Sequence, residues 1–311
     1  MKVVISEFID EAALGQFAPN VSVAYDPKLV DDRPALFQSL AGADALIVRN
    51  RTQVDQAVLD AAPALRVVGR LGVGLDNIDL AACKARGVTV HPATGANTLA
   101  VAEYVIASTL FLLRGAYGAN AAMIRGDWPR NALMGGEASG RVMGLVGFGG
   151  IAREVANRAE ALGMRIAAFD PYLPADDPAW RGAQRCTLEE LLARADVVSL
   201  HVPLTESTRG LIGPAAIAAM KPGAIVINTA RGGTVDETAL TLALRDGRLG
   251  GAALDVFETE PLTAEAGTRF AGIANIILTP HIAGLTNEAN GRVSAITVKK
   301  VMQELEALAE A

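Results

Sequence analysis

Cysteine, histidine and tryptophan are scarce in this 311-residue chain, at two, three and two residues, and aromatic residues make up only 5% of it. Cys83 and Cys186 stand 103 positions apart with no Cys-x-x-Cys spacing, so neither a disulfide framework nor a zinc site is indicated. No metal is expected, and a reducing cytoplasm fits. Charge is thin as well: charged residues account for 20%, and 28 Lys and Arg against 34 Asp and Glu give a net charge of -6. No general basic field therefore favours nucleic acid or an anionic membrane, and a small molecule is the expected partner. Long apolar runs are missing too. The most apolar stretch, residues 105–113, is nine residues between Glu103 and Arg114, about half of a membrane span. Residues 1–7 read as a short strand meeting an acid, not as an export signal, and a soluble protein is expected.

What the chain has is a large apolar content, 51%, and enough length for two domains at roughly 150 residues each. Short β-branched runs alternate with helical stretches throughout, the pattern of parallel sheets covered by helices on both faces. Strands are predicted at 3–5, 21–25, 45–48, 67–69 and 89–91, then at 142–146, 166–169, 197–200, 224–227, 251–254 and 276–278. Between the two series, residues 97–118 read as one long helix capped at Asn97, and a domain boundary falls near residue 95. Residues 287–311 read as a closing helix with no strand after it, one able to cross back to the first domain. His91 is read as structural.

Residues 141–152, RVMGLVGFGGIA, combine a strand, a Gly-x-Gly-x-x-Ala turn and a helix start. Gly147 permits the tight turn, Gly149 lets a pyrophosphate approach the backbone, and Ala152 is small enough for close helix packing. The helix N-terminus, with Gly150 and Ile151, offers free N–H groups to the phosphates. The next strand ends in Asp170, 23 residues after Gly147, matching the roughly 20-residue interval to the acid that holds the adenosine ribose. A carboxylate there accepts from a ribose 2′-OH and repels a 2′-phosphate, so NAD is the expected cofactor.

Three later strands end in reactive groups: Asn228-Thr229-Ala230-Arg231, the segment from Asp255 to Glu260, and Thr279-Pro280-His281. In open α/β sheets the ligand crevice lies beyond the carboxyl ends of the strands, so Arg231, Glu260 and His281 are expected to converge there. They supply a guanidinium for a carboxylate, a titrating imidazole, and an acid to orient it and raise its pKa. That set suits hydride transfer to a 2-oxo acid. His201 also follows a strand, and its structural and cofactor-lining readings are both open.

At these residues the sequence resembles the D-isomer-specific 2-hydroxyacid dehydrogenases, in their phosphoglycerate dehydrogenase branch. The resemblance runs over nearly the whole chain. It rests on residues 69–79 (GRLGVGLDNID), the Gly147–Gly149 turn, 201–205 (HVPLT), 228–232 (NTARG), 254–257 (LDVF), Glu260-Pro261 and 279–281 (TPH). It implies an α/β fold of two doubly wound parallel-sheet domains, Rossmann- and flavodoxin-like, with an active-site cleft between them. A substrate-binding domain would combine residues 1–95 and 285–311, and the NAD-binding domain would span 96–284. The implied catalytic residues are Arg231, Glu260 and His281. Asp255 would contact the nicotinamide, and Val73 and Gly74 would offer backbone N–H groups to the substrate carboxylate. The full expected cofactor set is Gly147, Gly149, Gly150, Ile151, Asp170, His201, Val202, Pro203, Thr208, Ala230, Asp255 and His281. The expected substrate set is Arg49, Arg70, Gly72, Val73, Gly74, Asn97 and Arg231. A homodimer is implied, and the regulatory extension of longer relatives, with its feedback, would be absent. Ala152 and Gly150 depart modestly from the family pattern, without excluding cofactor binding.

Arg49, Arg51, Arg70 and Arg130 cluster at predicted strand ends and in a loop, pointing to a second anion on the substrate, such as the phosphate of 3-phosphoglycerate or the sulfonate of 3-sulfolactate. Segments 49–52 and 134–137 are similar to sulfolactate dehydrogenases of the family. The (S) label of sulfolactate need not conflict with D-specificity, because sulfur outranks the carboxylate in priority and reverses the label without changing the geometry. The alternatives are a reductase of a small uncharged 2-oxo acid such as glyoxylate or hydroxypyruvate, and a corepressor-like NAD-sensing protein. A formate dehydrogenase would be expected to carry an amide at position 260.

Overall fold

The structure, a computed structural model, describes residues 1–310, and the chain divides into two compact units, Met1–Asn97 with Leu285–Ala311, and Thr98–Gly284. Both are α/β units built on one all-parallel sheet, the fold class expected from the sequence. Among the described residues, no helix is long and apolar enough to cross a membrane. Cys83 and Cys186 are free and buried.

The first unit holds β1 (Lys2–Ile5), β2 (Ser22–Tyr25), β3 (Ala45–Val48), β4 (Val67–Arg70) and β5 (Thr89–Pro92), in the order β2-β1-β3-β4-β5. Strand β3, Ala-Leu-Ile-Val, is buried at every position, as a strand covered on both faces must be. Helices α1 (Arg33–Leu40), α2 (Gln56–Ala61) and α3 (Leu80–Ala85) each begin at an aspartate, Asp32, Asp55 and Asp79, whose carboxylate accepts the N–H three residues on. They cover one face of the sheet. The closing helix, α11 (Asn287–Glu310), covers the other, packing Val293, Val298, Val301 and Leu305 against Val3, Ile5, Ile47 and Val67. His91 Nε2 lies 3.0 Å from Glu304 of α11. Strand order reverses between β1 and β3, where Ile5 pairs with Ile47, so the carboxyl ends of these two strands flank a topological switch point.

The second unit begins with helices α4 (Thr98–Arg114) and α5 (Asn120–Ile124). There follow β6 (Val142–Val146), α6 (Gly150–Ala161), β7 (Arg165–Phe169), β8 (Gln184–Arg185), α7 (Leu188–Arg194) and β9 (Val197–Leu200). The unit closes with α8 (Pro214–Ala219), β10 (Ala224–Asn228), α9 (Glu237–Arg245), β11 (Leu249–Leu254), α10 (Ala264–Gly267) and β12 (Ile276–Leu278). The sheet order is β12-β11-β10-β9-β6-β7-β8, with a separate buried apolar cluster on each face. Its switch point lies between β6 and β9, where Val146 pairs with Leu200.

Two local expectations are corrected. The long helix stops at Arg114 rather than near 118, because Gly115 takes the left-handed conformation, φ 65°, that ends helices. Asn97 does not cap it, since its buried Oδ1 has no hydrogen-bond partner among the described residues. Strand β8 and helix α5 lie outside the predicted elements; β8 is two exposed polar residues, and no periodicity marks it.

Candidate active site

The turn after β6 follows directly from its glycines. Gly147 has φ 85°, and a Cβ there would meet the His201 carbonyl oxygen, at the end of β9, at 2.6 Å. Only glycine satisfies both conditions. Gly149 and Gly150 have open space where a Cβ would stand, and Gly149 caps α6 without a side-chain acceptor. The first N–H groups of a twelve-residue helix therefore face an open cradle, which fits an anionic pyrophosphate. At the end of β7, Asp170 accepts from Phe148 N and Tyr172 N, each at 2.9 Å through a different oxygen. The carboxylate is thus tied to the glycine turn, and each oxygen keeps a further lone pair for a ribose hydroxyl.

On the other side of the switch point, burial lowers the His201 imidazole to about 4, so it is neutral at physiological pH. Its Nε2 lies 3.0 Å from Ser199 Oγ. The loop beyond it, with Val202 and Pro203, is folded by Thr208, whose hydroxyl donates to Pro203 O at 2.6 Å and accepts from Thr205 N at 2.8 Å.

Strands β10, β11 and β12 lie side by side, which brings their terminal loops together. Asn228 shapes the first loop: its Oδ1 accepts from Ala230 N at 3.0 Å, and its Nδ2 donates to Arg231 O and Thr234 Oγ1. A Cβ on Gly232 would stand 1.7 Å from Phe257 O, so the Arg231 loop and the Glu260 loop touch backbone to backbone. Glu260 Oε1 accepts from Phe257 N at 2.9 Å, and its Oε2 lies 2.8 Å from His281 Nδ1. His281 adopts φ 56°, a conformation uncommon outside glycine, and its N–H donates to Asp255 O at 2.8 Å. Asp255, 1% exposed, fixes that segment further by accepting from Thr279 Oγ1, Ile282 N and Ala283 N at 2.6 to 2.8 Å.

The electrostatics follow from this geometry. The Glu260 hydrogen bond raises the His281 pKa against the opposing effect of burial, helped by the charges of Glu260 and Asp255, while Arg231 acts to lower it. Burial alone would raise the Glu260 carboxyl; the bonds from His281 and Phe257 N, with the charges of His281 and Arg231, outweigh it and hold its pKa low. Arg231, Glu260 and His281 therefore form one electrostatic group, and the His281 side chain stays 51% exposed for a reaction partner.

In the first unit, Gly72 has φ 148° and the Arg70 guanidinium lies against it, with Nη1 donating to Leu71 O at 2.6 Å. Val73 beyond it is exposed. Arg51 departs from the expected cluster of substrate-facing guanidiniums: it is exposed and forms an ion pair with Asp31. Arg130 is exposed in a loop of the second unit.

Sequence reasoning missed three supports. Tyr104 of α4 places its hydroxyl 2.6 Å from Thr279 Oγ1. Glu237 and Glu258 exchange backbone-to-carboxylate bonds at 2.6 and 3.1 Å and share Arg269, which braces the loop carrying Glu260. Glu7 binds the loop after β3 through the backbone N–H groups of Arg49, Arg51 and Thr52. A buried acid in an otherwise apolar strand end is the one signal that could have found Glu7.

An all-parallel sheet with a glycine turn at its switch point, an acid at the end of the next strand and an Arg–Glu–His group at neighbouring strand ends defines a dinucleotide-dependent oxidoreductase. Residues 106–283 match the model of the D-isomer specific 2-hydroxyacid dehydrogenase NAD-binding domain. The chain is 57% identical over 304 residues to an (S)-sulfolactate dehydrogenase of Chromohalobacter salexigens, covering 97% of this chain and 98% of that one. It is 41% identical to a hydroxypyruvate reductase of Thermotoga maritima, over 88% of this chain and 89% of that one. Among solved structures, the TT0316 protein of Thermus thermophilus superimposes with a TM-score of 0.88 at 35% identity, covering 99% of this chain and 97% of that one. The chain belongs to the D-isomer specific 2-hydroxyacid dehydrogenases and is an NAD-dependent oxidoreductase.

Proposed function

We propose that the chain interconverts a 2-oxo acid and a D-2-hydroxy acid bearing a second anion at its far end, with 3-sulfolactate the preferred substrate. The observation that carries this reading is the environment of Arg49 at the end of β3. Burial lowers its pKa, and its side chain hydrogen-bonds to a neutral amide rather than to a carboxylate, leaving a desolvated cation available to an anionic ligand. The likeness to a sulfolactate dehydrogenase supports the sulfonate over the phosphate.

When bound, the nicotinamide supplies or accepts the hydride at C2 of the substrate. In reduction, Arg231 binds the substrate carboxylate and polarises the C2 carbonyl, and His281 gives its proton to the carbonyl oxygen. Glu260 keeps the imidazole protonated and holds it through Nδ1, so that Nε2 is the donor. The open first turn of α6, with Gly149, Gly150 and Ile151, receives the pyrophosphate, and Asp170 takes the adenosine ribose. His201, Val202, Pro203, Thr208, Ala230 and Asp255 line the rest of the cofactor site. The first unit is the substrate-binding domain: Val73 and Gly74 present backbone N–H groups to the carboxylate, and Gly72, whose own N–H is donated to Arg70 O at 2.8 Å, completes the substrate set with Arg70 and Asn97. The protein works as a cytoplasmic homodimer. Its run of exposed apolar side chains, Phe111, Tyr117, Ile124, Trp128 and Met134, supports a partner of the same kind.

The test is a panel of 2-oxo acids followed by NADH absorbance. Sulfopyruvate is expected to exceed glyoxylate and hydroxypyruvate in kcat/KM by roughly 10- to 150-fold, the value of one charge-assisted contact of about 1.5–3 kcal/mol, and to exceed phosphohydroxypyruvate. Equal or better activity with an uncharged oxo acid overturns the second anion.

A further inference from the structure

At the switch point of the first unit, the loop after β3 is held by a carboxylate that is itself buried. Glu7, 4% exposed at the end of β1, accepts from Arg49 N, Thr52 N and Arg51 N at 2.8, 2.9 and 3.1 Å. Asn77 Nδ2 adds a bond to Thr52 O at 2.7 Å. Both Glu7 oxygens are thus engaged by backbone N–H groups, and the Arg49 guanidinium meets other groups. Its carbon stands 5.7 Å from the centre of the Phe8 ring, and its Nη2 donates to Asn290 Oδ1, in the first turn of α11, at 2.7 Å. On the Arg49 guanidinium itself, Glu7 acts only through its field. The charged residue of that α11 turn is Glu288, and Arg292 follows in the next turn. Glu288 bonds the Thr286 hydroxyl and its own backbone N–H, and Arg292 donates to Ala96 O.

We infer that Asn290 is a specificity-determining residue that acts through Arg49, orienting the guanidinium without neutralising it so that the site takes a substrate with an anionic tail. The inference rests on the second-anion reading proposed above. An aspartate fits the same place and would accept the same guanidinium bond, but as an ion pair. It would cancel the positive charge and repel a sulfonate or phosphate. The neutral amide does neither, and because a guanidinium only donates, it fixes Oδ1 on Arg49 and leaves Nδ2 as a further donor. Phe8 contributes the face of its ring, which holds the cation without adding an acceptor. The position is also the one that strand order favours, since ligands of such sheets lie beyond the strand ends at the switch point.

The experiment compares wild type, Asn290→Asp and Asn290→Ala by the ratio of kcat/KM for sulfopyruvate to that for hydroxypyruvate. NADH affinity and thermal midpoint serve as checks of folding. Asn290→Asp is expected to lower the ratio by about 10- to 100-fold, mainly through KM for sulfopyruvate, and Asn290→Ala to lower it several-fold less. A wild-type ratio near one overturns the second-anion reading and this inference with it. A high wild-type ratio that Asn290→Asp leaves within about threefold, or that both variants reduce equally, overturns the role of Asn290 alone. Should Asn290→Asp fail to fold, an Asn290→Ala ratio equal to wild type likewise overturns it.

Discussion

His281 Nδ1 and Glu260 Oε2 stand 2.8 Å apart, on two loops that leave neighbouring strands of the second unit. The bond makes each group the cause of the other's shift: the imidazole pKa is raised, foremost by this bond, and the carboxyl pKa is held low against its burial. With His281 the proposed proton donor, reduction is expected to lose activity as pH rises through the raised His281 pKa. Glu260→Gln removes the carboxylate's charge, and the alkaline limb of the kcat/KM profile for reduction is expected to move to lower pH. A limb in the same place as wild type separates the two residues functionally.

The same pair predicts how stability varies with pH. A raised imidazole pKa contributes stability below its ordinary value of 6.5, lost as pH rises through the raised value. A depressed carboxyl pKa contributes above its ordinary value of 4.5, lost as pH falls through the depressed value. The difference in thermal midpoint between wild type and Glu260→Gln is therefore widest between those two ordinary values and narrows on both sides. A difference that fails to narrow above and below that window contradicts the pairing.

Cofactor choice is expected to rest on Asp170, whose carboxylate is held in place by Phe148 N and Tyr172 N. Asp170→Ser removes the ribose acceptor and the repulsion of a 2′-phosphate together. At about 1.5–3 kcal/mol for a charged hydrogen bond, the NAD-to-NADP ratio of kcat/KM falls by roughly 10- to 150-fold. Steady-state kinetics with both cofactors measure it, and an unchanged ratio removes Asp170 from the site.

Gly232 carries the contact between the Arg231 and Glu260 loops, with a Cβ position 1.7 Å from Phe257 O. Backbone on both sides cannot yield cheaply, so Gly232→Ala is expected to cost about 1–3 kcal/mol of stability and to lower kcat/KM as Arg231 and Glu260 move apart. Thermal denaturation and kinetics on the same sample check both halves.

Much of this was legible because the sheet rules carry it. Apolar runs such as residues 45–48 show as strands whatever surrounds them, and once strand order follows the parallel-sheet rule, Arg231, Glu260 and His281 must stand at adjacent strand ends. The supports were not legible, because each depends on which backbone N–H a side chain meets in three dimensions. Asp255 follows a strand and reads as a cofactor contact, yet in the folded chain its oxygens fasten Thr279, Ile282 and Ala283. Arg49 and Arg51 look equivalent in sequence, two residues apart. Only the fold shows that one is paired with Asp31 at the surface and the other rests on Phe8 and Asn290.

Turnover distinguishes a dehydrogenase from a protein that only senses NAD, and the most direct measurement is steady-state oxidation of NADH with sulfopyruvate by wild type and His281→Ala, with NADH affinity measured on both. The wild-type enzyme is expected to turn over, and His281→Ala to lose about 10²–10⁴-fold in kcat while binding NADH with similar affinity. Equal kcat in the two proteins, or NADH binding without oxidation by wild type across the panel of 2-oxo acids, contradicts the account.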